Sequence, residues 1–150
     1  MDIKCGRTPG TCLRYSKTLK RIIINKDERN IFVINPKTRK VEIRTQNSVS
    51  DLDQIMDFKL FGEQEGRVIA LTMDRYVLLY DLGSNQKRGI VAHYQEERKR
   101  YMTEIASSIA VCDKNEYVFL EIGLLTSSLG LLCSRMIILK LTQNTFSKIG

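Results

Sequence analysis

Short runs of β-branched and aromatic residues recur along the chain and are separated by charged or polar segments. Such runs, about four to eight residues long and bounded by turn-forming residues, are typical of β-strands. They predict nine strands, at residues 21–24, 31–34, 41–43, 68–72, 76–80, 89–92, 105–111, 117–122 and 136–141. The charged stretch 94–105 has no sustained apolar stripe at helical spacing, so we interpret it as a loop or a single helical turn.

Two of the intervening segments contain residues that favour tight reversals of the chain. Residues 35–38 put Pro36 at the second position of a type I turn, and residues 81–85 supply Gly83 and Asn85. Both segments suit hairpins between antiparallel strands. Many short strands without regular helices between them predict an all-β fold, which is a sandwich, a barrel or a propeller.

An internal repeat favours the propeller over the other two folds, because a strand-and-turn unit that recurs at a fixed spacing is typical of propeller blades. The first copy covers residues 21–43 and the second covers residues 68–91. A third, looser copy places its inner strand at 117–120 and needs an insertion at 124–133. The sequence therefore predicts a partial β-propeller of about three antiparallel blades, with a sandwich or barrel as the alternative.

The spacing of the repeat points to a particular kind of blade. Equivalent positions in the three copies lie 46 and 60 residues apart, at Ile31, Val77 and Ile137. The first interval is close to the roughly 40–45 residues of a WD-repeat blade. Tyr80 and Asp81 stand where WD repeats carry a Trp-Asp dipeptide, at the end of the third strand. The chain from residue 20 to residue 150 thus resembles the WD-repeat family, and the resemblance implies a β-propeller.

The repeat divides the chain into a basic N-terminal segment, 1–20, and a partial propeller, 21–150, whose blades are expected at about 21–54, 55–104 and 105–150. Three blades cannot close a ring, since propellers have about four to eight. We expect the chain to be a fragment of a longer protein, because its sequence stops within what would be a further strand. Otherwise a partner chain or self-association must cover the open edges.

Basic residues outnumber acidic ones, with 24 Lys and Arg against 17 Asp and Glu, which gives a net charge of +7. Such a surface favours acidic partners, polyanions or anionic membranes. The excess is concentrated near the N-terminus, and a second basic and aromatic run lies within residues 94–101. The candidate partner contacts are therefore Arg14, Lys17, Lys20, Arg21, Tyr94, Arg98, Lys99, Arg100 and Tyr101.

The sequence contains no recognisable catalytic or metal-binding constellation. The single histidine, His93, has no local partner that would make it a general base, and the four dispersed cysteines lack the close pairs of a zinc site. We expect no catalytic residue, metal or cofactor. Dispersed cysteines and the lack of a signal peptide indicate a cytoplasmic or otherwise intracellular protein, and no apolar stretch is long enough to span a bilayer.

The repeat and the missing chemistry together predict a non-catalytic scaffold. Its blade loops and basic N-terminal segment would hold other proteins in a larger assembly, or would meet a partner chain that completes the propeller. The alternative is a basic β module that binds nucleic acid or anionic lipid, which the net charge of +7 suggests.

Overall fold

Strands, turns and short connections make up the parts of the chain that the computed structural model describes, which are residues 13–25, 30–45, 54–62, 66–82, 90–97, 104–112, 116–126 and 130–150. Within these ranges the chain forms twelve strands and no helix. The strands are β1 Leu13–Ser16, β2 Arg21–Asn25, β3 Ile31–Asn35, β4 Lys40–Arg44, β5 Ile55–Phe61, β6 Arg67–Thr72, β7 Tyr76–Asp81, β8 Ile90–Gln95, β9 Glu104–Cys112, β10 Tyr117–Thr126, β11 Gly130–Thr142 and β12 Thr145–Lys148.

These strands form three antiparallel sheets of four strands each. In every sheet the strands pair in chain order, from β1 to β4, from β5 to β8 and from β9 to β12. The first strands meet between sheets, since β5 lies beside both β1 and β9. Four-stranded meanders whose first strands gather at a common inner edge are the blades of a propeller. The predicted all-β fold and partial propeller are confirmed.

All nine predicted strands are confirmed, since each predicted range overlaps one observed strand. The nine predicted ranges leave out β1, β5 and β12, although the further strand expected at the end of the sequence is observed as β12. These three lie at the edges of their sheets, where polar residues are tolerated, so their sequences LRYS, IMDFKLF and TFSK lack a clear apolar run. Strand β1 also lies within the segment 1–20 that the sequence sets apart from the propeller.

The third sheet corrects two features of the predicted repeat. Residues 117–120, expected as an inner strand, belong to β10, which lies second in its sheet because β9 precedes it. The expected insertion at 124–133 is a hairpin extension instead, since β10 and β11 stay paired out to Thr126 and Gly130. The pairing of β10 with β11 shifts register after Ile122 and then continues along the hairpin.

The charged stretch 94–105 also differs from the predicted loop. Strand β8 continues through Gln95 and β9 begins at Glu104, so both ends of this stretch are strand. Residues 98–103 lie outside the described residues. The turn expected at 81–85 is described only through Leu82.

The core lies between the sheets. In β6 and β7, alternate residues point to opposite faces. Ile69, Leu71, Val77 and Leu79 pack towards the third sheet, whereas Val68, Ala70, Leu78 and Tyr80 pack towards the first. The middle sheet is therefore apolar on both faces, which explains why β6 and β7 read as nearly continuous apolar runs. Burial raises the pKa of the Tyr80 phenol well above its ordinary value.

Candidate partner-binding surface

A buried carboxylate joins the second sheet to the third. The side chain of Glu96, which follows β8, is 2% exposed. It accepts hydrogen bonds from the Arg135 guanidinium at 2.8 Å, the Lys148 ammonium at 2.9 Å and the Tyr94 hydroxyl at 2.7 Å. Arg135 lies on β11 and Lys148 on β12. The Glu96 cluster therefore ties the outer strands of two neighbouring blades together.

The backbone around Glu96 is held equally firmly. The Arg75 side chain donates from Nε to the Glu96 carbonyl at 3.0 Å, and the Glu96 N–H donates to the Arg75 carbonyl at 3.1 Å. Burial opposes ionisation of the carboxyl, but the hydrogen bonds from Tyr94, Lys148 and Arg135 outweigh it and hold the pKa of Glu96 below its usual range. Because the Glu96 carboxylate accepts all of these hydrogen bonds from within the protein, we interpret it as a structural link between blades.

Asp57 forms a second junction at the inner edge, where all three blades meet. It lies at a bulge in β5. One carboxylate oxygen is 3.4 Å from the Arg14 guanidinium of the first sheet, and the other accepts from the Ile109 N–H of the third sheet at 3.3 Å. The Arg14 guanidinium also lies 5.7 Å from the centre of the Phe58 ring. Asp57 thus links the three inner strands β1, β5 and β9.

A dense group of cations lies at one end of the first sheet. Because its strands run antiparallel in chain order, the β1–β2 turn at 17–20 and the β3–β4 turn at 36–39 lie at the same end. Glu42 accepts from Arg21 Nε at 2.6 Å and from Asn35 Nδ2 at 2.9 Å, and the Arg21 hydrogen bond lowers the pKa of Glu42. Five exposed cations accompany this pair and are termed the basic edge: Lys17, Lys20, Lys37, Arg39 and Lys40.

The face of the first sheet that points away from the second sheet carries apolar side chains. Tyr15 pairs with Ile22, Ile22 with Ile34, and Ile34 with Val41, so these four residues form a row across the sheet. Directly opposed residues share a face. Both ends of the row, Tyr15 and Val41, are 52% exposed.

A second row on the same face pairs Leu13 with Ile24 and Ile24 with Phe32. Leu13 is 50% exposed, whereas Ile24 and Phe32 are buried and form a small cluster with Ile34 that is separate from the main core. This surface, made by the two rows, is termed the end face.

The structure places the predicted contact residues in different surroundings. Arg14, Arg21 and Tyr94 make the internal contacts with Asp57, Glu42 and Glu96 described above. Lys17 and Lys20 are exposed on the basic edge. The rest of the predicted set, Arg98, Lys99, Arg100 and Tyr101, lies outside the described residues.

Sequence reasoning missed three members of the basic edge: Lys37, Arg39 and Lys40. They are about twenty residues from Lys17 and Lys20 along the chain, so they do not belong to the same charged run. The signal was nonetheless present, because consecutive antiparallel strands bring alternate turns to one end of a sheet. His93 has an exposed side chain on β8, and its ring is tilted 56° against that of Tyr76.

Two further findings apply to the described part of the chain. Among its residues, no group of three or more His, Cys, Asp or Glu side chains is arranged to hold a metal ion. Nor do these residues form a helix with the length and apolarity needed to cross a membrane.

Comparison with known proteins bears on the fold. No protein-family model and no curated protein matches the sequence. Solved structures do match: Kluyveromyces lactis Hsv2 has 6% identity and a TM-score of 0.63, over 92% of this chain and 45% of that one. The β-propeller domain of Myceliophteria thermophila Cps50 (Swd1) has 13% identity and a TM-score of 0.53, over 87% of this chain and 49% of that one.

Chaetomium thermophilum Raptor has 13% identity and a TM-score of 0.62, over 94% of this chain and 14% of that one. These three are WD40 β-propeller proteins. The described sheets therefore have the fold of a WD-repeat-like partial β-propeller, as the sequence predicts. The chain spans less than half the length of each of these solved chains.

Proposed function

We propose that this chain is a non-catalytic protein-interaction scaffold, three propeller blades that present an end face and a set of turns to partner proteins. The observation that carries the proposal is the end face, where Leu13, Tyr15 and Val41 are each about half exposed. Large apolar side chains grouped on one side of a sheet mark an interaction surface.

The natural occupant of the end face is the apolar face of a further β-sheet. In a propeller every blade is packed between two neighbours, as the middle sheet of this chain already is. The solved propellers that resemble the chain are at least twice as long as the region it matches. We propose that further blades, from a longer protein or from a partner chain, cover this surface.

The opposite end of the array supports the same proposal. On the third sheet, Ile137 faces the core, so its neighbours Met136 and Ile138 point away from the second sheet. Met136 is 60% exposed, and Phe119, which pairs with Ile138, is only partly buried. Both outward faces of the array therefore present apolar side chains to a neighbour.

The non-catalytic part of the proposal is supported by two carboxylates whose hydrogen bonds hold blades together. The carboxylates of Glu96 and Asp57 hold neighbouring sheets together through hydrogen bonds to Arg135 and to the Ile109 N–H. The likeness to WD40 propellers supports a protein-interaction role in general terms. Cys112 carries a free thiol, as is usual for intracellular proteins. The intracellular location itself stays a prediction.

Light scattering coupled to gel filtration tests the proposal. Without a partner, the half-exposed side chains that border the buried centre of the end face should drive self-association of the purified chain, and the triple variant Leu13→Ser, Tyr15→Ser, Val41→Thr should reduce the associated fraction severalfold. Met73→Ser is the matched control, because Met73 is 38% exposed in the β6–β7 turn, away from the end face. Association that is the same in the triple variant and in the parent chain would contradict the proposed role of the end face.

A further inference from the structure

We infer that the basic edge binds an acidic segment of a partner protein. The inference rests on the proposed scaffold function and assigns it a surface and a partner chemistry. The basic edge joins two turns that are far apart in sequence, and three of its five cations belong to no run that the sequence singles out.

The two turns have the same backbone shape. Each has four residues and ends in a basic residue with positive φ, which is 53° at Lys20 and 59° at Arg39. In the first turn Ser16 Oγ accepts from the Leu19 N–H at 3.0 Å. In the second, the Asn35 side chain accepts from the Lys37 N–H at 3.0 Å. These hydrogen bonds fix the backbone from which the cations project, so little ordering is needed when a partner binds.

The separation of the turns suits an extended peptide. The turns are two strand spacings apart, which is roughly 10 Å. An extended chain advances about 3.3 Å per residue, so carboxylates about three residues apart can reach both turns at once. Opposite charges at such a surface mainly increase the association rate and the specificity of binding.

The charge of this region is not balanced from within the described residues around it. Glu42 is the carboxylate beside the turns, and both of its oxygens already accept hydrogen bonds, from Arg21 and from Asn35. Its charge offsets that of Arg21. The five cations of the basic edge therefore present a net positive surface to an acidic partner.

The details favour a peptide over a phosphate backbone. Neither turn contains an aromatic residue on which a base could stack, and the nearby Tyr15 belongs to the end face that we propose a further blade covers. Four of the five cations are lysines, which lack the bidentate fork that arginine offers to phosphate.

Fluorescence anisotropy on the 150-residue chain tests the inference. The probe is a labelled 12-residue peptide of Glu, Asp and Gly, compared with the same peptide in which Gln and Asn replace the acids. We expect the acidic peptide to bind and the neutral one not to bind. Lys37→Glu with Arg39→Glu should weaken binding about tenfold or more. The matched control is Lys59→Glu with Lys140→Glu, two cations on the second and third sheets, which changes the net charge equally and should leave the affinity within about twofold.

A neutral pair, Lys37→Gln with Lys40→Gln, should weaken binding about threefold and provides a second reading if the charge-reversed pair fails to fold. Equal losses of affinity in the 37/39 pair and in the 59/140 pair would overturn the inference, because they would show general charge attraction. Tighter binding of a 12-base single-stranded DNA or of phosphatidylserine vesicles at the same salt concentration would also overturn it, in favour of a different partner. If the peptide does not bind but the end-face variant still reduces self-association, only this inference is removed. If the peptide does not bind and the end-face variant also leaves self-association unchanged, the proposed function is removed as well.

Discussion

The carboxylate of Glu96 in the second blade lies 2.8 Å from the guanidinium of Arg135 in the third, although the two residues are 39 positions apart in sequence. The core between these blades is apolar and includes Leu79, Leu120 and Leu139. The hydrogen-bonded pair therefore fixes the relative position of two sheets whose apolar contacts are less directional. Lys148 at 2.9 Å extends the same junction to the outermost strand.

Glu96→Gln should lower the free energy of unfolding by about 1.5–3 kcal/mol, the range for a hydrogen bond to a charged group. The amide has no charge to balance Arg135 and Lys148, and its N–H₂ group cannot accept from them. Urea unfolding at neutral pH measures the change. The control is Glu97→Gln, because the Glu97 side chain is exposed. Equal stabilities for the two variants would show that the Glu96 carboxylate does not join the blades.

The Glu96 contribution should depend on pH. The folded-state pKa of Glu96 lies below the usual value of a glutamate carboxyl, so the contribution is complete above the unfolded-state pKa and is lost as the pH falls through the folded-state value. We expect the difference in stability between the parent chain and Glu96→Gln to be constant from about pH 6 to pH 8 and to shrink below about pH 4. A difference that grew on acidification would contradict the assigned pKa direction.

Asp57→Asn should loosen the inner edge of the blades. Both oxygens of Asp57 are used, one by Arg14 and Phe58 and the other by Ile109, whereas asparagine offers one acceptor oxygen. We expect a loss of about 1–2 kcal/mol in unfolding free energy and faster hydrogen exchange at the Ile109 N–H, measured by NMR. Glu116→Gln, at an exposed turn position, is the control for a lost carboxylate. Unchanged exchange at Ile109 would remove the inferred junction.

Substitution by glycine should have opposite effects at two positions of the β3–β4 turn. Arg39 has a φ of 59°, a left-handed conformation that glycine adopts without steric cost, so Arg39→Gly should stabilise the fold by about 0.5 kcal/mol. Lys37 is not among the residues with positive φ, so Lys37→Gly should destabilise it by about 0.5–1 kcal/mol. Thermal unfolding followed by circular dichroism measures both. Destabilisation by both variants would contradict the described turn.

The sequence predicts the central strands well because they are buried on both faces and become nearly continuous apolar runs, as in the YVLLYD of β7. It does not predict β5, in which Asp57 and Lys59 interrupt the apolar pattern. Asp57 makes the inter-blade contacts at the inner edge, and Lys59 lies 3.9 Å from its carboxylate. The long hairpin of β10 and β11 was also missed. Its apolar residues continue beyond the repeat length, and only the cross-strand pairing distinguishes an extension from an insertion.

The candidate site could be predicted only in part for a related reason. Lys17 and Lys20 are recognisable from local charge, but Lys37, Arg39 and Lys40 join them only through the antiparallel order of the strands. The Glu96 cluster depends on the packing of one blade against another, and no local pattern indicates that Glu96 rather than Glu97 is buried.

The central claim is that the three sheets form an open array whose outward faces need a neighbour. Sedimentation velocity of the unmodified 150-residue chain over a wide concentration range tests it most directly. We expect an average mass that rises with concentration above that of a single chain, because the exposed apolar side chains of the outward faces find another copy when no partner is present. A folded chain that sediments as a monomer at every concentration would contradict it.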